Sequence, residues 1–323
     1  ADGLTAVKWW SEGRYEDVTT TLTTLIDTGG LEAGELAIAL SNRGIAYSLL
    51  QRYDPAVQDL QEAVRLDPEH LLSLNHLGIL AEHVQMDFAV AAVWYRKAAD
   101  LGYAASKVNL GNLLRDGKGV KRDPDRALIL YEQAAEDDYT VALVALGEMY
   151  LRGGVEQDAR KAIELLNRAA EDGVTTAHHH LGFAYEKGRG LSRDYVKAME
   201  HYRVAAMQGY APSQGALGYL YRRGHGTKKD FIEAVKWYRL AAEQGDATAA
   251  NRLAWLMATC PVSEVCNGHV ALEFARLAVE TDSSATNIDS LAAAFARVGE
   301  FDQALRVIRE LLATKQLSES ART

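Results

Sequence analysis

Apolar residues recur along this chain at three- and four-residue intervals, the spacing that lines one face of an α-helix. Val144, Leu146, Gly147 and Tyr150 form one such stripe, and Ala234, Trp237, Tyr238 and Ala241 another. The stripes repeat. A Leu-Gly pair stands at Leu110-Gly111, Leu146-Gly147, Leu181-Gly182 and Leu217-Gly218, at intervals of 36, 35 and 36 residues. An Ala-Ala pair beginning at Ala98, Ala134, Ala169, Ala205 and Ala241 keeps the same step. Between them lie glycine pairs, Gly117 and Gly119, Gly153 and Gly154, Gly188 and Gly190, Gly224 and Gly226, each followed by an aspartate: Asp123, Asp158, Asp194 and Asp230. The single interval of 35 falls where Gly153-Gly154 lacks the residue between its glycines.

Each period therefore reads as two helices. The glycine of the Leu-Gly pair lets the second helix approach the first closely, and the paired glycines supply a turn with positive φ. The aspartate before the second helix is placed to cap it, its carboxylate accepting from unpaired backbone N–H groups. One such hairpin cannot bury both of its faces; stacked neighbours bury them in a continuous core. The pattern predicts an all-α chain, a right-handed α/α superhelical solenoid of about nine helical hairpins.

From Asp87 to Gly245 the pattern resembles the Sel-one-like repeat, a subclass of the tetratricopeptide repeats, with its best copy running from Ala216 to Gly245. The flanks are similar to ordinary tetratricopeptide units: Gly44, Tyr47, Tyr53, Ala56, Leu60, Ala63 and Pro68 in one, Trp9, Gly13, Tyr15, Val18, Leu22 and Leu25 in an earlier one. Leu291, Phe295, Gly299, Phe301, Ala304 and Ile308 mark a last one. The expected organisation is tetratricopeptide-like hairpins over 1–103, Sel-one-like repeats over 104–246, C-terminal hairpins with a long Cys-containing loop over 247–314, and a frayed tail over 315–323.

Composition narrows the partners. Among 323 residues, 35 basic against 44 acidic side chains leave a net charge of −9, which argues against nucleic acid or an anionic membrane as partner. The longest unbroken apolar run, Phe88 to Tyr95, is far short of the ~20 residues that span a bilayer. The chain opens on Ala1 rather than Met, as a processed or an excised chain would. Cys260 and Cys266 form either a small disulfide ring, worth about 2 kcal/mol of loop entropy, or two thiols, according to compartment.

Candidate chemistry is sparse. The Gly-x-Gly segments follow no strand and lack the Gly-Lys-Ser/Thr of a phosphate cradle, so they read as turns. His178, His179 and His180 are consecutive, and helix residues about 100° apart cannot converge on one ion. Cys260, Cys266 and His269 have no evident fourth ligand. Neither a Gly-x-Ser-x-Gly elbow nor a His-Glu-x-x-His helix is present. No metal, no cofactor and no catalysis are expected. A β-lactam or cell-wall hydrolase is the weaker alternative, because the repeated cysteine pairs of such relatives are missing.

The residue two after each leucine of the repeat is expected to face a concave groove, where the column reads Ile79, Asn112, Glu148, Phe183, Tyr219 and Trp255. One turn on stand Arg115, Arg152, Lys187, Arg222 and Arg223. Aromatic and arginine side chains are frequent energetic anchors at interfaces. Phe183 and Tyr219 are expected to be exposed, whereas Trp255 suits the core and the groove equally. The expected activity is the binding of another protein or an extended peptide by a monomer. The family resemblance implies an immunity or inhibitor protein for a secreted toxin such as a lipase, in the periplasm or, alternatively, the cytoplasm. An envelope assembly scaffold is the other role it implies.

Overall fold

The computed structural model describes residue 10 and residues 12–152 and 159–320, with side chains as far as residue 313. The described residues form 17 α-helices and no strand, and the chain is an all-α repeat solenoid. Two compact units divide it, Ala1–Gln157 and Asp158–Thr323.

The first unit holds α1 (Tyr15–Thr28), α2 (Ala33–Leu49), α3 (Tyr53–Leu66), α4 (Leu71–His83), α5 (Phe88–Asp100), α6 (Ala104–Asp116), α7 (Pro124–Glu136) and α8 (Thr140–Arg152). The second holds α9 (Ala159–Glu171), α10 (Thr175–Lys187), α11 (Tyr195–Met207), α12 (Ala211–Arg223), α13 (Phe231–Ala242), α14 (Ala247–Thr259), α15 (Gly268–Thr281), α16 (Ala285–Arg297) and α17 (Phe301–Ser320). Within each unit, helices that follow one another in sequence pack side by side. The last helix continues to Ser320, past residue 315 where a frayed tail is expected, because Leu-Leu-Ala-Thr-Lys-Gln-Leu carries good helix formers and no breaker.

The turns explain the period. Asp87, Asp123, Asp194 and Asp230 each accept hydrogen bonds from backbone N–H groups of the helix they precede, as Asp230 does from Ile232 and Glu233 at 3.0 Å. Asp158, Gly153, Gly154 and Trp9 lie outside the described residues. At the other end of the turn Gly224 closes α12 in the left-handed conformation, φ 71°, its N–H donating to the Leu220 carbonyl. The second glycine does something else. Gly226 (φ +74°) lies against the start of the preceding α11, where a Cβ would stand 2.6 Å from the Tyr195 carbonyl oxygen. Gly119 abuts Phe88 and Gly190 abuts Ala159 in the same way. The segment is thus both a turn and a contact between consecutive hairpins.

Four hairpins lock through one large ring, whereas between α2 and α3 Leu60 takes that place against Gly44. Tyr95, Tyr131, Tyr202 and Tyr238 are fully buried on second helices, pressed onto Gly78, Gly111, Gly182 and Gly218 of first helices. Burying such a ring contributes on the order of 2 kcal/mol, and only a glycine leaves room for it.

Candidate functional site: the first-helix face of the second unit

The buried tyrosines carry a hydroxyl as well as a ring, and a buried hydroxyl needs a partner. Tyr95 donates to Glu82 at 2.8 Å and Tyr202 to Glu186 at 2.9 Å. Both acceptors stand four residues beyond the helical glycine. Tyr131 donates to Asn112 at 2.8 Å. In the next hairpin the residue four beyond Gly218 is Arg222, which has no acceptor atom. Tyr238 Oη and Arg222 Nε are both buried without completing a hydrogen bond. Burial raises the Tyr238 pKa, and the charges of Arg252 and Arg222 act against that rise.

That arginine belongs to a cluster. The guanidinium carbons of Arg222, Arg223 and Arg252 lie 5.9, 5.8 and 5.7 Å from the centre of the Tyr219 ring, within cation–π range. Among the described residues none of the three is within ion-pair distance of a carboxylate. Beside them Trp255, 44% exposed, walls an open cleft of about 310 Å³ with Arg222, Asn251, Arg252, Thr286, Asp289 and Ser290. A smaller recess of about 220 Å³ shares Arg222 and Trp255 and is lined also by Arg223, Lys229, Phe231 and Pro261.

The other members of the expected row are engaged elsewhere. In the first unit Arg115 pairs with Asp116 at 2.7 Å and with Glu148 at 3.0 Å, and Arg152 reaches the same Glu148 at 3.0 Å. The hydrogen bond to Asp116 is the main cause of a raised Arg115 pKa; burial opposes it and Glu148 adds to it. Asn112 accepts from Tyr131. In the second unit Lys187 pairs with Glu186 and caps the Phe183 ring at 5.8 Å. Phe183 and Tyr219 are half-buried rather than exposed, because both pack onto the core around Leu217 and Leu220. Tyr219 also touches the core of the following hairpins.

The histidines divide among neighbours. His178 Nδ1 faces His201 Nδ1 at 3.2 Å, His179 Nδ1 bonds the Ser213 hydroxyl at 2.9 Å, and the His180 ring sits edge-on to His179. Among the described residues no three metal-ligating side chains converge. Cys260 and Cys266 are free thiols, so the disulfide alternative does not describe this structure. The Cys266 thiol instead donates to the Cys260 carbonyl at 2.7 Å, while the Cys260 sulfur accepts from Val262 N–H at 3.4 Å. Among the described residues no helix is long and apolar enough to cross a membrane.

Sequence reasoning missed Asn251, Arg252 and Asp289. Arg252 had a signal: it stands in the column just before the repeat leucine, after Asn109, Ala145, His180 and Ala216, and three residues before Trp255 on the same helix.

Hairpins of this length, locked ring-on-glycine and stacked in register, define a repeat solenoid of the tetratricopeptide type. Residues 81–103, 104–139, 140–174, 175–210 and 211–246 match the Sel1 repeat, together just over half of the chain, and the chain belongs to that family. Residues 37–70 and 288–321 match the tetratricopeptide repeat. A Sel1 repeat protein from Oxalobacter formigenes has a similar structure, with 27% identity and a TM-score of 0.62 over 75% of this chain and all of that one. An immunity protein from Pseudomonas aeruginosa shares the fold at 22% identity and a TM-score of 0.50, over 68% of this chain and 83% of that one. The small glutamine-rich tetratricopeptide repeat-containing protein 2 of Saccharomyces cerevisiae is 31% identical over 101 residues, a stretch covering 31% of this chain and 28% of that protein.

Proposed function

We propose that this protein is a non-catalytic adaptor that acts as a monomer without a cofactor and holds a partner protein on the first-helix face of its second unit. The observation that carries the reading is the open cleft lined by Arg222, Arg252 and Trp255, next to a Tyr219 ring that gathers Arg222, Arg223 and Arg252, none of them within ion-pair distance of a carboxylate among the described residues. Exposed aromatic and guanidinium groups make affine protein contacts at small entropic cost, because an aromatic ring has few rotors and a guanidinium is planar. The ion-paired row of Arg115, Glu148 and Arg152 is the less suitable surface, since a partner would have to displace existing pairs.

The finer role proposed is that of an immunity or inhibitor protein, in the periplasm, for a secreted toxin such as a lipase. The fold serves an immunity protein in Pseudomonas aeruginosa, and one compact cluster of aromatic and arginine side chains suits one tight partner better than the several partners of a scaffold. Affinity capture from the native host tests the adaptor reading with wild-type protein and the Tyr219→Ala/Arg222→Ala variant, both checked for equal helicity by circular dichroism. A protein held one-to-one by wild type and lost by the variant supports it. Retention by both, or equal loss of melting temperature and binding, overturns it.

A further inference from the structure

The cleft beside Trp255 has a chemical character that the repeat pattern does not explain. In two other hairpins the position four beyond the helical glycine is a carboxylate, Glu82 or Glu186, that answers a buried tyrosine. Beyond Gly111 it is Arg115, paired with Asp116 and Glu148; here it is Arg222, without such a pair, and the change leaves donors in excess. Arg222 Nε is a buried donor without an acceptor, and Arg252 on the adjoining helix adds a second cation on the same wall. Asn251 Oδ1, also in that wall, is a buried acceptor without a donor. A buried polar group left unmatched is costly, so these atoms favour a guest that brings both kinds of partner.

We infer that the cleft binds an acidic segment of a partner protein, with an Asp or Glu carboxylate between Arg222 and Arg252, a main-chain N–H at Asn251 Oδ1, and a neighbouring apolar side chain on the Trp255 ring. The inference rests on the adaptor reading and specifies the chemistry of its partner. A carboxylate accepts two parallel N–H bonds from one guanidinium, the geometry for which arginine is suited. A phosphate group alone offers acceptors only and leaves the Asn251 oxygen unmatched, whereas a peptide brings a main-chain N–H beside each side chain, and the net charge of −9 disfavours nucleic acid. Asp289, on α16, also lines the cleft. Its charge repels a carboxylate, which directs the guest toward the α12 and α14 side.

A terminally blocked, fluorescein-labelled peptide in which glutamates flank a leucine tests this by fluorescence anisotropy on the full-length chain, with the glutamine counterpart as control. The glutamate peptide is expected to bind about tenfold or more tightly than the glutamine one, with affinity falling as salt is added. Arg252→Ala, an exposed position, should weaken it about tenfold, and Asp289→Asn should tighten it, a gain that a merely structural role does not produce. Arg126→Ala in the first unit should change nothing. Equal affinity for the two peptides overturns the inference, as does indifference to Arg252→Ala. So does an oligothymidylate that displaces the labelled peptide at lower concentration than unlabelled peptide, which assigns the cleft to phosphate. If the peptides fail while the Tyr219→Ala/Arg222→Ala variant still loses its host partner, the acidic segment alone is disproved. If that partner is also retained, the face itself is disproved.

Discussion

The Tyr238 ring lies directly over Gly218, so that a Cβ at that glycine would stand 2.6 Å from the ring's Cδ1. Tyr238 is wholly buried and has no space into which to retreat. Gly218→Ala is therefore expected to destabilise the second unit by about 2 kcal/mol, the cost of overpacking a filled core. Gly215, one turn earlier on the same helix, has its nearest neighbour at 3.7 Å. Gly215→Ala should be neutral or stabilising by up to about 1 kcal/mol, from helix propensity. Urea melts of the two variants decide the matter; equal effects would refute the ring-on-glycine lock.

Arg222→Glu places in the α12/α13 hairpin the carboxylate that Tyr202 finds in Glu186. We expect it to stabilise the protein by about 1 kcal/mol through the hydrogen bond that Tyr238 gains. The same variant should lose the acidic peptide. Opposite movements of melting temperature and affinity are the signature of a residue kept for binding at the expense of stability.

Gly226→Ala should cost about 2–3 kcal/mol, because the left-handed φ and the approach to the Tyr195 carbonyl both penalise a side chain. Gly245, with φ +88° and no atom within 4 Å, isolates the conformational part. Gly245→Ala should cost about 1 kcal/mol. Thermal melts that rank the two equally would show that Gly226 is only a turn.

His178 and His201 face each other, and burial is the main cause that depresses both pKa values below the ordinary 6.5; for His201 the charge of His178 and of Lys197 add to it while Glu200 opposes. The unfolded chain then binds protons that the folded chain resists. Stability should be full above pH 6.5 and decline as pH falls through that value. His201→Gln should flatten the dependence, seen as a smaller difference in melting temperature between about pH 7.5 and about pH 5.5. His76, likewise depressed by burial, titrates in both proteins and cancels in the comparison.

The regular parts of this fold were legible because they repeat. A column of glycines, a column of alanine pairs and a column of capping aspartates can be read from one sequence, and each has a physical use that the structure repeats from hairpin to hairpin. Contacts between hairpins were harder. That Gly119 seats against Phe88, or that Arg115 meets Glu148 33 residues on, depends on how one hairpin is laid on the next, which period alone does not fix. For that reason a single row of face residues was expected where the structure separates an internally neutralised set from an open one. Tyr219 and Phe183 were placed on the right helices, but their rings also fill the seams between hairpins. Arg252 lies in a column of small and polar residues, and its only mark in the sequence is its place three residues before Trp255 on the same helix.

In the tyrosine locks, ring and hydroxyl answer to different residues: the ring to a glycine that the stacking demands, the hydroxyl of Tyr95 and Tyr202 to the residue one turn further on and that of Tyr131 to Asn112. The first requirement admits no variation, whereas the second leaves a position that Glu82, Glu186 and Arg222 fill with opposite signs. An array built this way can re-letter one hairpin with a single codon while the architecture stays untouched. Specificity in such a protein is then written in the margin of its own framework.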